Sequence, residues 1–216
     1  MVKNLKIYNN FNLGRRDKGS IILIGNFDGL HKGHQKLFNK ARNFKKKYKL
    51  KIGVVTFDPI PKMFFRKLYN YRLSNFDQKI QLLKKNKVDF IINKKFNAKF
   101  SKITCFDFIK KILFKKIGPR YIFVSDNFRF GYRRAGDIKL LKSLEKDYHY
   151  KIINPSPLKS KKSVISSTLV RKNLETGNLK KVKKFLGRNW CIEGRVEKGR
   201  QLGKKIGFPT CNIDIK

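Results

Sequence analysis

The chain has 216 residues, of which 40% are apolar and 13% aromatic, and this composition is sufficient for a packed core. Its 54 basic and 14 acidic residues give a formal net charge of +40, which favours anionic partners such as nucleotides. Because 41 of the basic residues are lysines scattered along the whole chain, the charge indicates solvated faces and not a specific nucleic-acid surface.

The three cysteines are widely and irregularly spaced, which excludes a disulfide scaffold and a Cys-x-x-Cys metal pair. We expect buried or half-buried reduced thiols in a cytoplasmic protein. The first twelve residues lack an apolar signal region, and no apolar run approaches the roughly 20 residues that span a bilayer. The sequence therefore predicts a soluble protein with no membrane partner, and it does not specify an oligomeric state.

Strand-like and helix-like segments alternate along the chain, which predicts an α/β fold with a parallel sheet covered on both faces. The predicted strands are 21–25, 51–57, 88–92, 121–124 and 150–153. The predicted helices are 33–48, 75–86, 104–113, 138–146, 166–173 and 179–186. Two prolines predict a loop at 58–61. From residue 187 the chain becomes strand-like and glycine-rich, as at the start of a new β domain.

The segment 25–34, GNFDGLHKGH, lies between the first predicted strand and the first predicted helix. Its glycines allow close backbone approach, and the free N–H groups of the helix favour an anion. His31 and His34 can donate hydrogen bonds to phosphate oxygens and stabilise charge in a transition state. A metal site is the weaker interpretation because no third ligand is evident, and capping or surface histidines are the structural alternative.

Three further clusters carry polar groups suited to nucleotides. Ser167, Thr168 and Arg171 begin a predicted helix, where they either cap it or hold phosphate. The loop 125–131 follows a strand and can line a pocket for a flat heterocycle, or pack by its own phenylalanines. The segment 207–212, GFPTCN, is a turn that presents a hydroxyl and an amide.

In this order, these segments resemble the bacterial bifunctional riboflavin kinase/FMN adenylyltransferases, also called FAD synthetases. The resembling segments are 25–34, 56–61, 72–74, 124–137, 166–171, 186–188 and 194–212. The resemblance implies a Rossmann-like nucleotidylyltransferase domain with a parallel sheet over 1–186. It implies the start of a β-barrel riboflavin kinase domain over 187–216.

The implied reaction transfers AMP from ATP to FMN, giving FAD and pyrophosphate, with Mg²⁺ as cofactor. The resemblance assigns catalytic roles to His31, His34 and Arg171. It assigns ATP contacts to Gly25, Asn26, Phe27, Asp28, Gly33, Ser167 and Thr168, and flavin contacts to Asp58, Asn127 and Phe128. In the kinase segment it assigns Mg²⁺-ATP ligation to Thr210 and Asn212.

The sequence departs from the family pattern at three positions. Ile60 stands in place of a histidine, Ser125 in place of a glycine and Cys211 in place of an alanine. Because the chain ends at Lys216, before most of the family's barrel, we expect no riboflavin kinase activity. The alternatives are another nucleotidylyltransferase with the same histidine motif, acting on pantetheine phosphate or nicotinate mononucleotide, and a basic nucleic-acid-binding module without catalysis.

Overall fold

A six-stranded parallel sheet forms the centre of the fold in a computed structural model that describes residues 5–66, 68, 70–200 and 202–214. The strand order is β1-β4-β3-β2-β5-β6, and all neighbouring strands run parallel. The strands are β1 Lys6–Tyr8, β2 Ile21–Ile24, β3 Ile52–Asp58, β4 Phe90–Lys95, β5 Tyr121–Phe123 and β6 Lys151–Ile153. All four residues of β2 are buried, as expected for a central strand covered on both faces.

Helices cover both faces of this sheet and enclose two separate apolar clusters. The helices up to residue 143 are α1 Lys32–Tyr48, α2 Pro61–Arg66, α3 Phe76–Lys85, α4 Ala98–Ser101, α5 Cys105–Asp107 and α6 Ile138–Ser143. A π-helical segment, Phe108–Ile117, continues α5. Helices α7 Ser167–Glu175 and α8 Leu179–Leu186 pack on each other and form a third cluster with Leu73 and Ile165.

Smaller elements complete the described chain. A short hairpin joins β7 Lys159–Ser160 to β8 Ser163–Val164. Near the C-terminus, β9 Arg195–Glu197 pairs antiparallel with β10 Asn212–Asp214, and α9 Leu202–Lys205 lies between them in sequence. Apolar side chains of this segment are exposed, Phe208 by 76% and Val196 by 65%.

The predicted alternation of strands and helices is confirmed, with bounds that differ by a few residues. The predicted loop at 58–61 is too long, because α2 begins at Pro61. Proline fits the first position of a helix, since the backbone N–H that it lacks would have no partner within the helix there. The expectation of buried or half-buried thiols is wrong for Cys191 and Cys211, which are exposed, while Cys105 is half-buried. Within the described ranges, none of the helices has the length and apolar character needed to cross a membrane.

The sheet topology brings three loops to one edge. Strand β2 lies between β3 and β5, so the segments that follow these strands leave the sheet side by side. From β2 the chain continues to β3 on one side, and it later returns to form β5 on the other side of β2. Such a reversal of strand order is a topological switch point, where ligands bind in open α/β sheets. The loops 25–34 and 125–136 both start at this edge.

Candidate nucleotide-binding site

The segment 25–34, here called the nucleotide turn, folds through several left-handed residues. Phe27 has φ +47°, Gly29 φ +71° and Leu30 φ +37°. Only glycine adopts such a conformation without strain, and a Cβ on Gly29 would come within 2.8 Å of the Leu73 side chain. The turn starts from β2, where the Gly25 N–H donates to the Val55 carbonyl at 3.1 Å.

His31 and His34 lie together at the start of α1. His31 is the N-cap residue, and its Nδ1 accepts a hydrogen bond from the His34 backbone N–H at 3.4 Å. The two imidazole rings stack with centroids 3.7 Å apart, and Phe27 packs edge-on against His34 at 5.2 Å. Because Nδ1 of His31 accepts, the proton of its neutral ring sits on Nε2, which is left to donate.

Burial keeps both histidines uncharged at neutral pH. It lowers the pKa of His31 from 6.5 to about 4, helped by the nearby Arg171 charge. Burial also lowers the pKa of His34 well below 6.5, and His31 adds to this effect. Since unfolding restores the ordinary pKa, the uncharged His31 contributes stability that is present above pH 6.5 and is lost as the pH falls towards 4. The imidazoles therefore act as neutral donors.

Asp28 fixes the turn from inside. Its side chain is 3% exposed, and it forms an ion pair with Arg171, whose side chain is 13% exposed. The Asp28 carboxylate also accepts hydrogen bonds from the backbone N–H groups of Leu73 at 3.0 Å and Ser74 at 3.3 Å. Arg171 in turn donates through Nε to the Tyr71 carbonyl at 2.7 Å and stacks on the Tyr71 ring at 3.7 Å. The Arg171 guanidinium is thus held by a buried carboxylate, the Tyr71 carbonyl and the Tyr71 ring.

The N-terminus of α7 meets the nucleotide turn. Ser167 donates through Oγ to the Asp28 carbonyl at 2.9 Å, while Ser166 caps the helix and Thr168 is exposed. A Cβ on Gly33 would lie 2.9 Å from the Ile165 carbonyl oxygen, so only glycine fits where α1 and α7 approach. Two helix N-termini therefore converge near the histidines, an arrangement that favours an anion.

The metal interpretation of the histidine pair gains no support from the described residues. Within the described ranges, no group of three or more His, Cys, Asp or Glu residues is positioned to hold a metal ion. The Asp28 carboxylate is occupied by Arg171, Leu73 and Ser74. This leaves the site with hydrogen-bond donors and one neutralised ion pair.

Comparison with protein families identifies the chain. The FAD synthetase family model matches residues 14–169, most of the described sheet and its helices. The chain belongs to the FAD synthetase family. The riboflavin kinase family model matches residues 186–216.

Relatives of this FAD synthetase family member carry a two-activity name. A bifunctional riboflavin kinase/FMN adenylyltransferase of Buchnera aphidicola subsp. Acyrthosiphon pisum is 40% identical over 94% of this chain and 65% of the relative. The Escherichia coli K12 protein of the same name is 34% identical over 92% of this chain and 64% of its own length. The chain thus spans about 65% of the length of these curated relatives.

Solved structures agree on the fold. A crystal structure of a Streptococcus pneumoniae protein described as a macrolide-efflux protein has a TM-score of 0.80 and 28% identity, covering 97% of this chain and 68% of its own. A Thermus thermophilus pantoate-beta-alanine (pantothenate synthetase) structure has a TM-score of 0.50 and 14% identity, covering 84% of this chain and 71% of its own. The second likeness concerns the fold alone.

The predicted flavin residues lie at the end of β3 and in the loop after β5, the two strands that flank β2. Asp58 ends β3 and pairs with Arg72. Asn127 is exposed in the loop after β5, where its Oδ1 accepts a hydrogen bond from Ser125 Oγ at 3.0 Å. Phe128 is half-buried and stacks on Phe130 at 5.5 Å. The topology brings Asp58 on one side of the nucleotide turn, and Asn127 with Phe128 on the other, to the same sheet edge as the histidines.

Sequence reasoning missed an aromatic surface beside Asp58. Phe64 and Phe65 of α2 contact Phe96 edge-on at 5.4 and 5.8 Å, and Phe65 is 66% exposed. Exposed aromatic rings in contact form a surface on which a planar heterocycle can stack. The available signal was the Phe-Phe pair that follows the second proline after two residues.

Lys79 is a second residue that the sequence did not single out. It is 5% exposed, and its Nζ lies 3.5 Å from Thr56 Oγ1, which donates to the Asn26 carbonyl at 3.3 Å. Burial lowers the pKa of Lys79, and the carboxylates of Asp28 and Asp58 oppose this effect. The Lys79 Nζ therefore lies beneath the nucleotide turn, where the amphipathic pattern of α3 predicts only helix packing.

The predicted kinase residues lie in the β9–β10 region, outside the parallel sheet. Thr210 and Asn212 are exposed. Both side chains lie close to glycines of this region, since a Cβ on Gly199 would overlap the Asn212 amide and one on Gly203 would come within 3.2 Å of the Thr210 methyl group. Among the described residues no hydrogen bond joins either side chain to the nucleotide turn.

Proposed function

We propose that this protein is an FMN adenylyltransferase. A phosphate oxygen of FMN attacks the α-phosphorus of ATP, the bond from that phosphorus to the bridging oxygen breaks, and pyrophosphate leaves. Membership of the FAD synthetase family supports this assignment. The observation that carries it is the stacked pair of neutral histidines at the N-terminus of α1.

His31 and His34 act as donors to the phosphate oxygens of ATP and stabilise the charge that grows around the α-phosphorus. An uncharged imidazole donor does not need to lose a proton during the reaction, which suits a transfer that depends on positioning. Arg171 adds positive charge beside them, held in place by Asp28. The backbone of Gly25, Asn26, Phe27 and Gly33 shapes the ATP site, and Ser167 and Thr168 add donors from α7.

Asp58, Asn127 and Phe128 contact FMN in this proposal. The aromatic surface of Phe64, Phe65 and Phe96 supports a site for a flat ring on the Asp58 side. Because these groups flank β2 on both sides, FMN would lie across the sheet edge with its phosphate towards the histidines.

Mg²⁺ is proposed to arrive with the phosphates of ATP. We assign it no protein ligand at the nucleotide turn, because the Asp28 carboxylate is fully engaged and Mg²⁺ is usually bound by one or two carboxylates together with substrate phosphates. The oxygen donors of Thr210 and Asn212 have the chemistry to ligate it in the kinase segment.

We further propose that residues 1–186 form the adenylyltransferase domain and 187–216 belong to a riboflavin kinase domain. The family match to 186–216 supports the second assignment. The free cysteines support a reducing, cytoplasmic compartment.

The test incubates the purified chain with ATP, Mg²⁺ and FMN and separates the flavins by chromatography. We expect FAD, and we expect no adenylylated product when pantetheine phosphate or nicotinate mononucleotide replaces FMN. His31→Ala or His34→Ala should lower turnover by roughly 10²-fold if these donors act on the transition state. His149→Ala is the matched control, since His149 is the third histidine of the chain and is exposed.

Absence of FAD from a folded sample would refute the proposal. Tight, salt-dependent binding of DNA or RNA without any turnover would favour the nucleic-acid alternative.

A further inference from the structure

The segment 186–191, here called the junction segment, forms hydrogen bonds with the nucleotide turn and with Leu73, which contacts the turn. It begins at Leu186, the last residue of α8, and coincides with the start of the riboflavin kinase match. Gln35 Nε2 donates to the carbonyls of Leu30 at 2.9 Å and Leu186 at 2.8 Å, joining the turn to the end of α8. Gly187 follows in a left-handed conformation and redirects the chain over α1.

Arg188 bonds the turn directly. Its Nη2 donates to the Gly29 carbonyl at 2.9 Å, across 159 residues of sequence. The Gly29 N–H donates to Ser74 Oγ at 3.3 Å, so both backbone polar groups of this left-handed residue are held by side chains from elsewhere. Gly29 precedes His31 by two residues, and a shift of its peptide would therefore move the imidazole.

Trp190 acts on the same turn indirectly, through Leu73. Its Nε1 donates to the Leu73 carbonyl at 2.9 Å, while the Leu73 N–H donates to the Asp28 carboxylate at 3.0 Å. The side chain of Leu73 also packs directly against Gly29. Arg188 and Trp190 thus fix two residues that contact each other and the buried ion pair.

The surroundings of Arg188 differ from those of a stabilising surface arginine. Among the described residues, no carboxylate lies within ion-pair distance of its guanidinium, and Nη1 is buried without a hydrogen-bond partner. A buried, unpaired donor costs free energy, so ordinary packing does not explain why a guanidinium stands here. The bond to Gly29 is the contact that accounts for it.

We propose that Arg188, assisted by Trp190, is a positioning residue for the histidines of the nucleotide turn. The adenylyltransferase site then depends on residues that follow the boundary at 186. The inference rests on the proposed function, and it deepens that proposal by adding a residue outside the segments assigned to ATP or flavin.

The test compares Arg188→Met, which keeps an unbranched stem and removes the donors, with Arg195→Met, whose arginine is exposed in β9. FAD formation gives kcat and KM, and hydrogen–deuterium exchange of the 25–34 peptide reports on the turn without any substrate. We expect Arg188→Met to lower kcat by roughly 10-fold to 100-fold, the loss typical of a small misplacement, and to leave KM for FMN nearly unchanged. We also expect faster exchange in 28–31, and no change in Arg195→Met.

An unchanged kcat per folded molecule, or unchanged exchange in 28–31, would overturn the inference. If Arg188→Met does not fold, Trp190→Phe decides, because it removes the donor to Leu73 while keeping an aromatic ring, and it should give the same changes to a smaller degree. If the unmodified chain makes no FAD, the proposed function fails, and the exchange measurement alone decides whether Arg188 positions the turn.

Discussion

Replacing Asp28 by asparagine tests the buried ion pair on which the nucleotide turn depends. The substitution keeps the shape of the side chain and removes its charge. Three donors face the carboxylate: the Arg171 guanidinium and the backbone N–H groups of Leu73 and Ser74. An amide has one acceptor oxygen, and its NH₂ group would face donors, so the Arg171 charge would remain buried without a counterion.

Removing one partner from a buried ion pair typically costs about 3–5 kcal/mol. The upper part of that range is expected here, since the side chains of Asp28 and Arg171 are 3% and 13% exposed and backbone donors are lost as well. For a chain of this length, each kcal/mol lowers the melting temperature by about 2–4 °C, so a loss of about 4–5 kcal/mol means that Asp28→Asn should melt about 8–20 °C lower. FAD formation should fall too, because Arg171 loses its anchor.

Thermal and urea unfolding followed by circular dichroism measure the first effect, and flavin chromatography measures the second. Asp147→Asn serves as the control, because Asp147 is exposed and a surface substitution of this kind changes stability by about 0.5 kcal/mol or less. If Asp28→Asn unfolds with the same free energy as the control, the carboxylate does not hold the turn and the argument from burial is wrong.

Three further outcomes follow from the described contacts. Lowering the pH from 6.5 to 4 should cost about 3 kcal/mol of stability through His31, because its pKa is lowered to about 4 in the folded protein. Urea unfolding across this range should show that the free energy of unfolding depends less on pH in His31→Asn, but not in His149→Asn. Gly33→Ala should cost about 1–3 kcal/mol because its Cβ meets the Ile165 carbonyl, whereas Gly14→Ala, with 3.6 Å to its nearest neighbour, should leave the melting temperature unchanged. Thr210→Val should leave FAD formation from FMN at the unmodified rate, and a marked loss would contradict the assignment of Thr210 to the kinase segment.

Local sequence patterns predict those parts of the fold that local physics determines. The apolar run of β2 and the periodicity of α1 identify the strand and the helix, and their junction identifies the histidines. Strand β1 is not predicted, because its three residues carry no pattern and their place comes from pairing with β4. The bond from Arg188 to Gly29 is equally hidden from local patterns, since it joins residues 159 positions apart.

The same limit applies to the electrostatics of the site. The sequence indicates that the histidines are donors, but their charge state depends on burial by distant elements. The sequence likewise suggests Asp28 as an ATP contact, whereas in the fold its carboxylate forms an ion pair with Arg171 of α7. Contacts made only in the folded state therefore decide which polar groups are left to meet a ligand.

These charge states explain how a chain of net charge +40 can bind a polyanion through uncharged imidazole donors at the start of α1. Both histidines are uncharged at pH 7, and Asp28 cancels the charge of Arg171. Short-range recognition of phosphate then rests on N–H donors of the imidazoles and of the two helix N-termini, which need no counterion when the site is empty. The scattered lysines contribute at longer range, by raising the local concentration of anionic substrates. Recognition and attraction are thus carried by different residues, which is why the lysine-rich composition alone did not reveal the site.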